Sequence, residues 1–327
     1  MTCKLNRKLL LLRLLLALLI NLPVLDCWAD SSNDKELRLK DEYLGELEKV
    51  LPELLFKFVK QRKFQIRLAK KLEFFFPKGE HLGNVDYDIN FTLLDKNPEQ
   101  PATRTAHGVI KTNNELGIIL SLDAPLVVAG FAIEAKGQQL YIHSPISKLE
   151  RKLPVVLRGD LLLNSLLAYD DLNVFSGKDE AFSSKVIGEK VILGLFPALE
   201  VYTKVAAEQL EIQQSFAGWL PEQAYFVPRR VVVLEQFPKN LFYYSGRQIL
   251  IVDQESSLPL YKLVYNKRGV VEKIVIGGWG VVQQTNEPAG TKSNELGSKI
   301  PFLAFLLIID KTGNKATVIS VNHLRVR

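Results

Sequence analysis

RQILIVDQESSLPLYKLVYNKRGVVEKIVIGGWG, from Arg247 to Gly280, is the stretch whose reading decides the fold. Ile249 to Val252 is apolar and mostly β-branched, and the polar run Asp253-Gln254-Glu255-Ser256-Ser257 breaks it. Leu258 to Tyr265 follows, with Leu260 and Val264 on one side of the alternation and Tyr261, Leu263 and Tyr265 on the other. Asn266-Lys267-Arg268-Gly269 is turn chemistry, since glycine takes positive φ without steric cost. Val270 to Ile276 then resumes a period of two. Three strands on such short turns form an antiparallel meander, because parallel neighbours need long crossovers. Large apolar groups stand on both faces of these strands, so both faces are expected to meet apolar surroundings. Asp253 is expected to accept N–H groups of the turn it precedes. Gly277-Gly278-Trp279-Gly280 reads as a bend or bulge, since no GxGxxG and no phosphate-loop lysine accompanies it.

Met1 to Ala29 has the layout of an export signal. Lys4, Arg7 and Lys8 precede a leucine-rich run, Asn21 and Pro23 break it, and Cys27-Trp28-Ala29 offers small residues at −3 and −1 of a cut after Ala29. An uncleaved anchor is the competing reading. Leu14 to Leu25 is only 12 residues and is interrupted by Asn and Pro, against the roughly 20 that a span needs. Acylation at Cys27 is opposed by Asp26 directly before it, where such signals require a small residue. Both cysteines of the chain, Cys3 and Cys27, lie in this segment, so the mature chain is expected to hold no disulfide and no thiolate-bound metal. The segment also carries four of the 42 Lys/Arg and one of the 36 Asp/Glu. That leaves 38 cations against 35 anions, a net charge of +3 with no basic stripe, which gives no support to a nucleic-acid partner.

Residues 30–327 lack a Pro- or Gly/Ser-rich linker and an internal repeat, and are read as one domain. Helical spacing of Leu44, Leu47, Leu51, Leu54, Leu55, Phe58 and Val59 predicts helix between Asp34 and Arg62, kinked or restarted at Pro52. From Val85 onward the pattern turns to strands. Val85 to Leu94, Thr105 to Thr112, Leu116 to Leu122, Leu126 to Ala135, Gln139 to His143 and Leu149 to Leu157 are expected before Gly159 to Leu172, which reads as a short helix crossing the sheet. Ser184 to Leu193 and Ala198 to Lys204 return to strand, Val205 to Gln214 reads as helix, and Gly218 to Pro228 as loop. Arg229 to Gln236 is a strong strand, and a hairpin of Ile300 to Ile309 with Ala316 to Val326 closes the chain. PFLAFLLII, at Pro301 to Ile309, is apolar on both faces yet far too short to span lipid, so it is read as a doubly buried strand. About twelve strands, two or three helices and no βαβ alternation make an α+β protein with one large antiparallel sheet.

KVIGEKVILG (Lys185 to Gly194), YFVPRRVVVLEQFPKN (Tyr225 to Asn240) and YYSGRQILIVDQESSLPLYKLVYNKRG (Tyr243 to Gly269) occur in this order after GDLLLNSLLAYDDL (Gly159 to Leu172). Together they resemble the LolA/LolB-like superfamily of outer-membrane lipoprotein-sorting proteins, in a branch of secreted homologues. Ile251-Val252-Asp253, Leu258-Pro259-Leu260 and Tyr265-Asn266-Lys267-Arg268-Gly269 stand at that branch's recurrent positions, with Asn266 where Asp is usual. The resemblance covers the second half of the chain and the first half in outline. It implies a strongly curved antiparallel half-barrel with helices over its concave face, exported to the periplasm and associated with lipoprotein acyl chains. An inner-membrane efflux-type transporter or an outer-membrane protein is the partner it implies.

Physical chemistry gives that expectation a purpose. Each exposed CH₂ of an acyl chain costs about 0.8 kcal/mol in water, so a carrier across an aqueous compartment must hide the chain. Alternation nominates Val231, Val233, Ile249, Ile251, Leu260 and Val264 as cavity-lining residues, joined by Phe131 and Ile133. A register error of one residue moves any of them to the other face, and the ordinary role of each is core packing. Arg229 and Arg230 read as surface ion-pairing residues.

Catalysis finds little foothold. His81, His107, His143 and His323 have no HxH, HExxH or HxxxH spacing, so no metal site is expected. His143 stands beside Ser144, but no GxSxG elbow accompanies a nucleophile. Asp170 and Asp171 read as a solvated helix end rather than a calcium loop. A non-enzymatic carrier without cofactor is the leading expectation. The alternatives are an outer-membrane-associated adaptor whose interior is filled by its own side chains, and a lipid hydrolase.

Overall fold

A computed structural model describes residues 35–37, 52, 55, 66–68, 85–94, 104–113, 117–136, 139–146, 150–154, 157, 159–162, 165–169, 171, 181–197, 200–203, 209–211, 216–217, 220–221, 224–284 and 299–326. The first strands are β1 (Lys35–Leu37), β2 (Ile66–Leu68), β3 (Val85–Leu94), β4 (Arg104–Asn113) and β5 (Gly117–Ala124). After them come β6 (Ala132–Lys136), β7 (Gln139–His143), β8 (Glu150–Lys152), β9 (Phe182–Pro197), β10 (Glu200–Thr203) and β11 (Gln209–Glu211). The remainder are β12 (Phe216–Ala217), β13 (Leu220–Pro221), β14 (Ala224–Pro238), β15 (Arg247–Asp253), β16 (Pro259–Tyr265), β17 (Val271–Gln284), β18 (Lys299–Asp310) and β19 (Ala316–Val326).

Thirteen of these strands form one open antiparallel path. It runs β9-β14-β15-β16-β17-β18-β19 and then passes to β3-β4-β5-β6-β7-β8, with β9 and β8 at its two ends. The join is the long ladder of β19 with β3, which pairs Val326 with Val85 and Ala316 with Leu94. Short strands extend the path where a neighbour stops. β10 runs parallel to the far end of β17, β11 lies against the end of β19, and β2 touches β14 at Phe226. Register shifts interrupt six of the main ladders, and each such bulge bends its strand and adds twist.

The meander from Arg247 to Gly280 forms as its alternation dictates. β15, β16 and β17 pair in sequence, and Gly269 closes the second turn at φ +76°. The Asn266 side-chain oxygen accepts from the amides of Arg268 and Val270, which fixes that turn. The glycine run is a bulge, with the register shifting between Gly278 and Trp279. There the Phe305 ring lies over Gly278, so close that an added Cβ would stand 2.0 Å from Phe305 Cε1. Pro301 to Ile309 is buried throughout except for half-buried Leu303, as expected of a strand covered on both sides.

Several local expectations are corrected. Gly159 to Leu172 is not one continuous α-helix over its described residues, which hold short 3-10 turns at Gly159, Leu162, Tyr169 and Asp171. It is a tight double turn in which Leu161 bridges Ala168, the Leu162 amide donates to Leu167 O, and the Leu167 amide donates to Ser165 Oγ. Short polar side chains such as Ser165 compete with the helical ladder for backbone partners, which breaks the helix here. Leu126 to Gly130 is a turn rather than the start of a strand, following a cis Ala124–Pro125 bond. Gln209–Glu211, expected as helix, is drawn into strand by pairing with β19. The loop expected at Gly218 to Pro228 is strand from Ala224, because β14 pairs with β9 along its whole length. Lys35–Leu37 pairs with Ile66–Leu68 instead of opening a helix. Leu55 is helical and fully buried, and the rest of the expected first helix lies outside the described residues, as does the segment 1–29.

Candidate functional site

Cross-strand partners share a face, so the register sorts the sheet into two sides. One row runs Leu250, Lys262, Val275, Ile308 and Thr317 across β15 to β19. The same side continues over β3 to β7 as Ile89, Ile110, Leu120, Ile133 and Leu140, all buried and apolar. On the opposite side, β4 to β8 present exposed His107, Lys111 and Glu150. That opposite side changes character over β14 to β18, where Val233, Ile251, Tyr261, Ile276 and Leu307 form a buried row.

The first side has a cover made by the chain itself. After β8 the chain turns onto it, and the segment 153–171 packs there through buried Leu153, Leu162, Leu167 and Ala168. Its fastenings to the sheet are polar. The Leu166 amide donates to Thr317 Oγ1 at 2.8 Å, and Lys273 Nζ donates to Leu166 O at 3.1 Å. Asp171 then enters between two sheet lysines. Its Oδ2 accepts from Lys273 Nζ and, at 2.8 Å, from the Ala168 amide, while its Oδ1 lies 3.0 Å from Lys262 Nζ. The Lys262 contact lacks hydrogen-bond geometry, so charge alone holds it. Asp171 is fully buried, Lys262 is 2% exposed and Lys273 7%. Burial pushes the Asp171 carboxyl up, but the charges of Lys273 and Lys262 and the hydrogen bonds from Lys273 and Ala168 outweigh it and hold the group below its ordinary range. The solvated helix end expected at Asp170 and Asp171 is therefore wrong for Asp171, which is the innermost charge of the cover.

The eight nominated lining residues divide between the two sides. Val231, Val233, Ile249 and Ile251 share the opposite side, all within 9% exposure. Their partners on β16 are Leu263 and Tyr261, not Val264 and Leu260. Val264 pairs with Gln248 and Lys273 on the covered side, and Leu260 is the extra residue of the bulge between Ile251 and Val252. Ile133 is buried on the covered side, and Phe131 packs half-buried against the same core just before β6. Alternation could not anticipate that one bulge at the Leu-Pro-Leu turn advances β16 by a residue.

Asp253 does accept the turn, taking the Ser256 amide at 2.9 Å and the Ser256 hydroxyl at 2.6 Å. It also holds Arg229 bidentately, at 2.8 and 2.7 Å, with Arg229 lying 5.8 Å from the Phe196 ring centroid. Arg229 is thus a largely buried clamp between β14 and β15 rather than a surface pair. Among the histidines, His143 turns to Glu134 (Nε2 to Oε2, 3.1 Å) and not to a serine. Glu134, His143 and Glu150 bring their donor atoms within 4.8 Å of one another on neighbouring strands. No linear spacing announces that trio, since it is assembled by the registers of β6, β7 and β8.

No family model matches this sequence, and no curated protein matches it. It is similar to several solved structures at low sequence identity. A domain named for outer membrane lipoprotein sorting, from Vibrio parahaemolyticus, aligns with a TM-score of 0.48 at 16% identity, covering 75% of this chain and 86% of that one. A LolA superfamily protein from Nitrosomonas europaea gives 0.47 at 13%, covering 75% and 87%. A DUF1329 family protein from Desulfovibrio piger gives 0.45 at 14%, covering 75% and 86%. These likenesses accompany the sequence resemblance, and the functional reading below rests on the chain's own geometry.

Proposed function

We propose that this chain is a periplasmic, non-enzymatic carrier that takes the acyl chains of a lipid or lipoprotein beneath the segment 153–171. One observation carries the reading: an apolar sheet face is covered by a segment whose fastenings are a few polar contacts centred on Asp171, Lys262 and Lys273. A cover fastened by hydrogen bonds and charges can exchange those contacts for water and for a headgroup while acyl chains replace its leucines. In this reading 1–29 is a removed export signal, 30–327 is a single domain, and helices of the N-terminal region add a second cover. Delivery then involves an inner-membrane efflux-type transporter or an outer-membrane protein.

An adaptor with a filled interior is the second reading, favoured by the complete burial of Trp279, Phe302, Phe305, Leu307, Ile308 and Ile309. Solvent extraction of the purified mature chain, followed by mass spectrometry, separates the two. Acyl lipid at near one mole per mole supports the carrier. Protein that is lipid-free after expression and takes up no fluorescent fatty acid is an adaptor.

A further inference from the structure

Antiparallel pairing assigns every turn of the sheet to one of two ends. Taking β14 as rising, the connections β14–β15, β16–β17, β18–β19, β5–β6 and β7–β8 all fall at the same end. Among the described residues, which at the opposite end include the turn 254–258, the exposed apolar side chains are distributed very unevenly between the ends. Among the described residues the five most exposed large ones are Ile146 at 94%, Leu126 at 92%, Leu241 at 87%, Val127 at 84% and Phe242 at 75%. All five stand in connections at that one end, and the next in rank is Val186 at 59%. At the other end the described turn 254–258 buries its Leu258 and directs Glu255 to Arg229.

Exposed cations stand at the apolar end as well. Lys239, Lys267, Arg268, Lys311 and Lys315 are exposed in three successive connections of the apolar end. Some acids of this end are engaged, while Glu150 at the start of β8 is exposed. Both Asp310 oxygens accept from Thr312 Oγ1, and Oδ1 also takes the amides of Asn314 and Lys315. Glu272 accepts from Asn266 Nδ2 at 3.2 Å, and Asp123 is the exposed acid of the β5–β6 corner. The tip bearing Leu241 and Phe242 is also braced: Asn240 Oδ1 accepts the Phe242 amide at 2.8 Å, and Lys267 Nζ donates to Leu241 O at 3.1 Å. Apolar side chains held outward on a braced turn, ringed by cations, suit insertion at the level of lipid headgroups.

We propose that this end of the sheet docks on an anionic lipid bilayer, with Leu241 and Phe242 entering the acyl boundary and Lys239, Arg268 and Lys311 meeting the headgroups. The proposal is independent of what the covered face holds. Vesicle binding by a chain that carries no lipid upholds it while removing the carrier reading, and the reverse result removes only the docking.

Flotation of the mature chain with vesicles of phosphatidylglycerol and phosphatidylcholine in equal parts, against phosphatidylcholine alone, tests it. Binding is expected to the anionic vesicles and to weaken with salt. Leu241→Ser with Phe242→Ser is expected to lower partitioning roughly 100-fold, two exposed apolar side chains being removed from the boundary. Lys239→Gln with Arg268→Gln and Lys311→Gln is expected to lower it by about the same factor on anionic vesicles, and to abolish the salt dependence. Phe242→Trp supplies a readout that needs no deletion: its emission shifts to the blue and is quenched by brominated lipid. Failure of the unmodified chain to float, or flotation unchanged by the serine pair, overturns the proposal, as does a tryptophan at 242 that stays in water. Capture of a protein on this end by a chain that ignores vesicles has the same effect.

Discussion

Asp171 carries one negative charge between two ammonium groups in a fully buried position. Removing the acid strands two buried cations, and breaking a buried pair in this way costs about 3–5 kcal/mol. Asp171→Asn is therefore expected to lower unfolding free energy by about that much, read from urea denaturation, while a change within about 0.5 kcal/mol, typical of a surface site, excludes the latch. The pH dependence follows from the sign of the shift. The folded carboxyl titrates below its unfolded value, so its contribution is complete above roughly pH 4 and disappears as pH falls through the depressed folded value. The gap between wild type and Asp171→Asn should thus be flat across neutral pH and close only in acid. That acid was legible in the sequence as a charge but not as a buried one. Its counterion Lys273 lies 102 residues further on, and nothing in a local pattern gives the address of so distant a partner.

At the scale of elements, the glycine bulge of β17 was legible and its reason was not. Gly277-Gly278 sits in a strand because the Phe305 ring of β18 occupies the space of a side chain at 278. Gly278→Ala places a methyl group within van der Waals overlap of that ring and is expected to cost about 1–3 kcal/mol, the usual range for overpacking. In a Phe305→Leu background the same substitution should cost less, and a double-mutant cycle by thermal denaturation reads the coupling directly. Purely additive costs would mean that the backbone alone, and not the ring, demands glycine. The elements that resisted reading have a common cause. Gln209–Glu211 is a strand where it lies against the end of β19, and Lys35–Leu37 where it pairs with Ile66–Leu68, so tertiary pairing overrides local preference. The face error at Val264 is of the same kind, since a single bulge between Ile251 and Val252, with Leu260 as its extra residue, sets Tyr261 and Leu263 opposite Ile251 and Ile249 and turns Val264 to the other side.

Among the described residues the thirteen-strand path has two halves that meet in the ladder of β19 with β3, a pairing of residues more than 200 positions apart in the sequence. Hydrophobic alternation reveals the long strands but not that join, which is why the meander was legible and the order of the thirteen-strand path was not. Such a sheet gives the carrier reading a thermodynamic signature distinct from that of an adaptor. A ligand that binds only the folded state stabilises it by about 2.7 kcal/mol at a hundred times its dissociation constant. For a chain of this size, each kcal/mol moves the melting temperature by roughly 2–4 °C or less. Long-chain fatty acid or phospholipid below its aggregation limit is therefore expected to raise the melting temperature by several degrees, with the rise growing as acyl length increases. Length dependence is the decisive part, because a headgroup bound to surface lysines stabilises equally whatever tail it carries. A shift that ignores tail length, or no shift at saturating lipid, leaves the apolar face as packing and the carrier reading without its ligand.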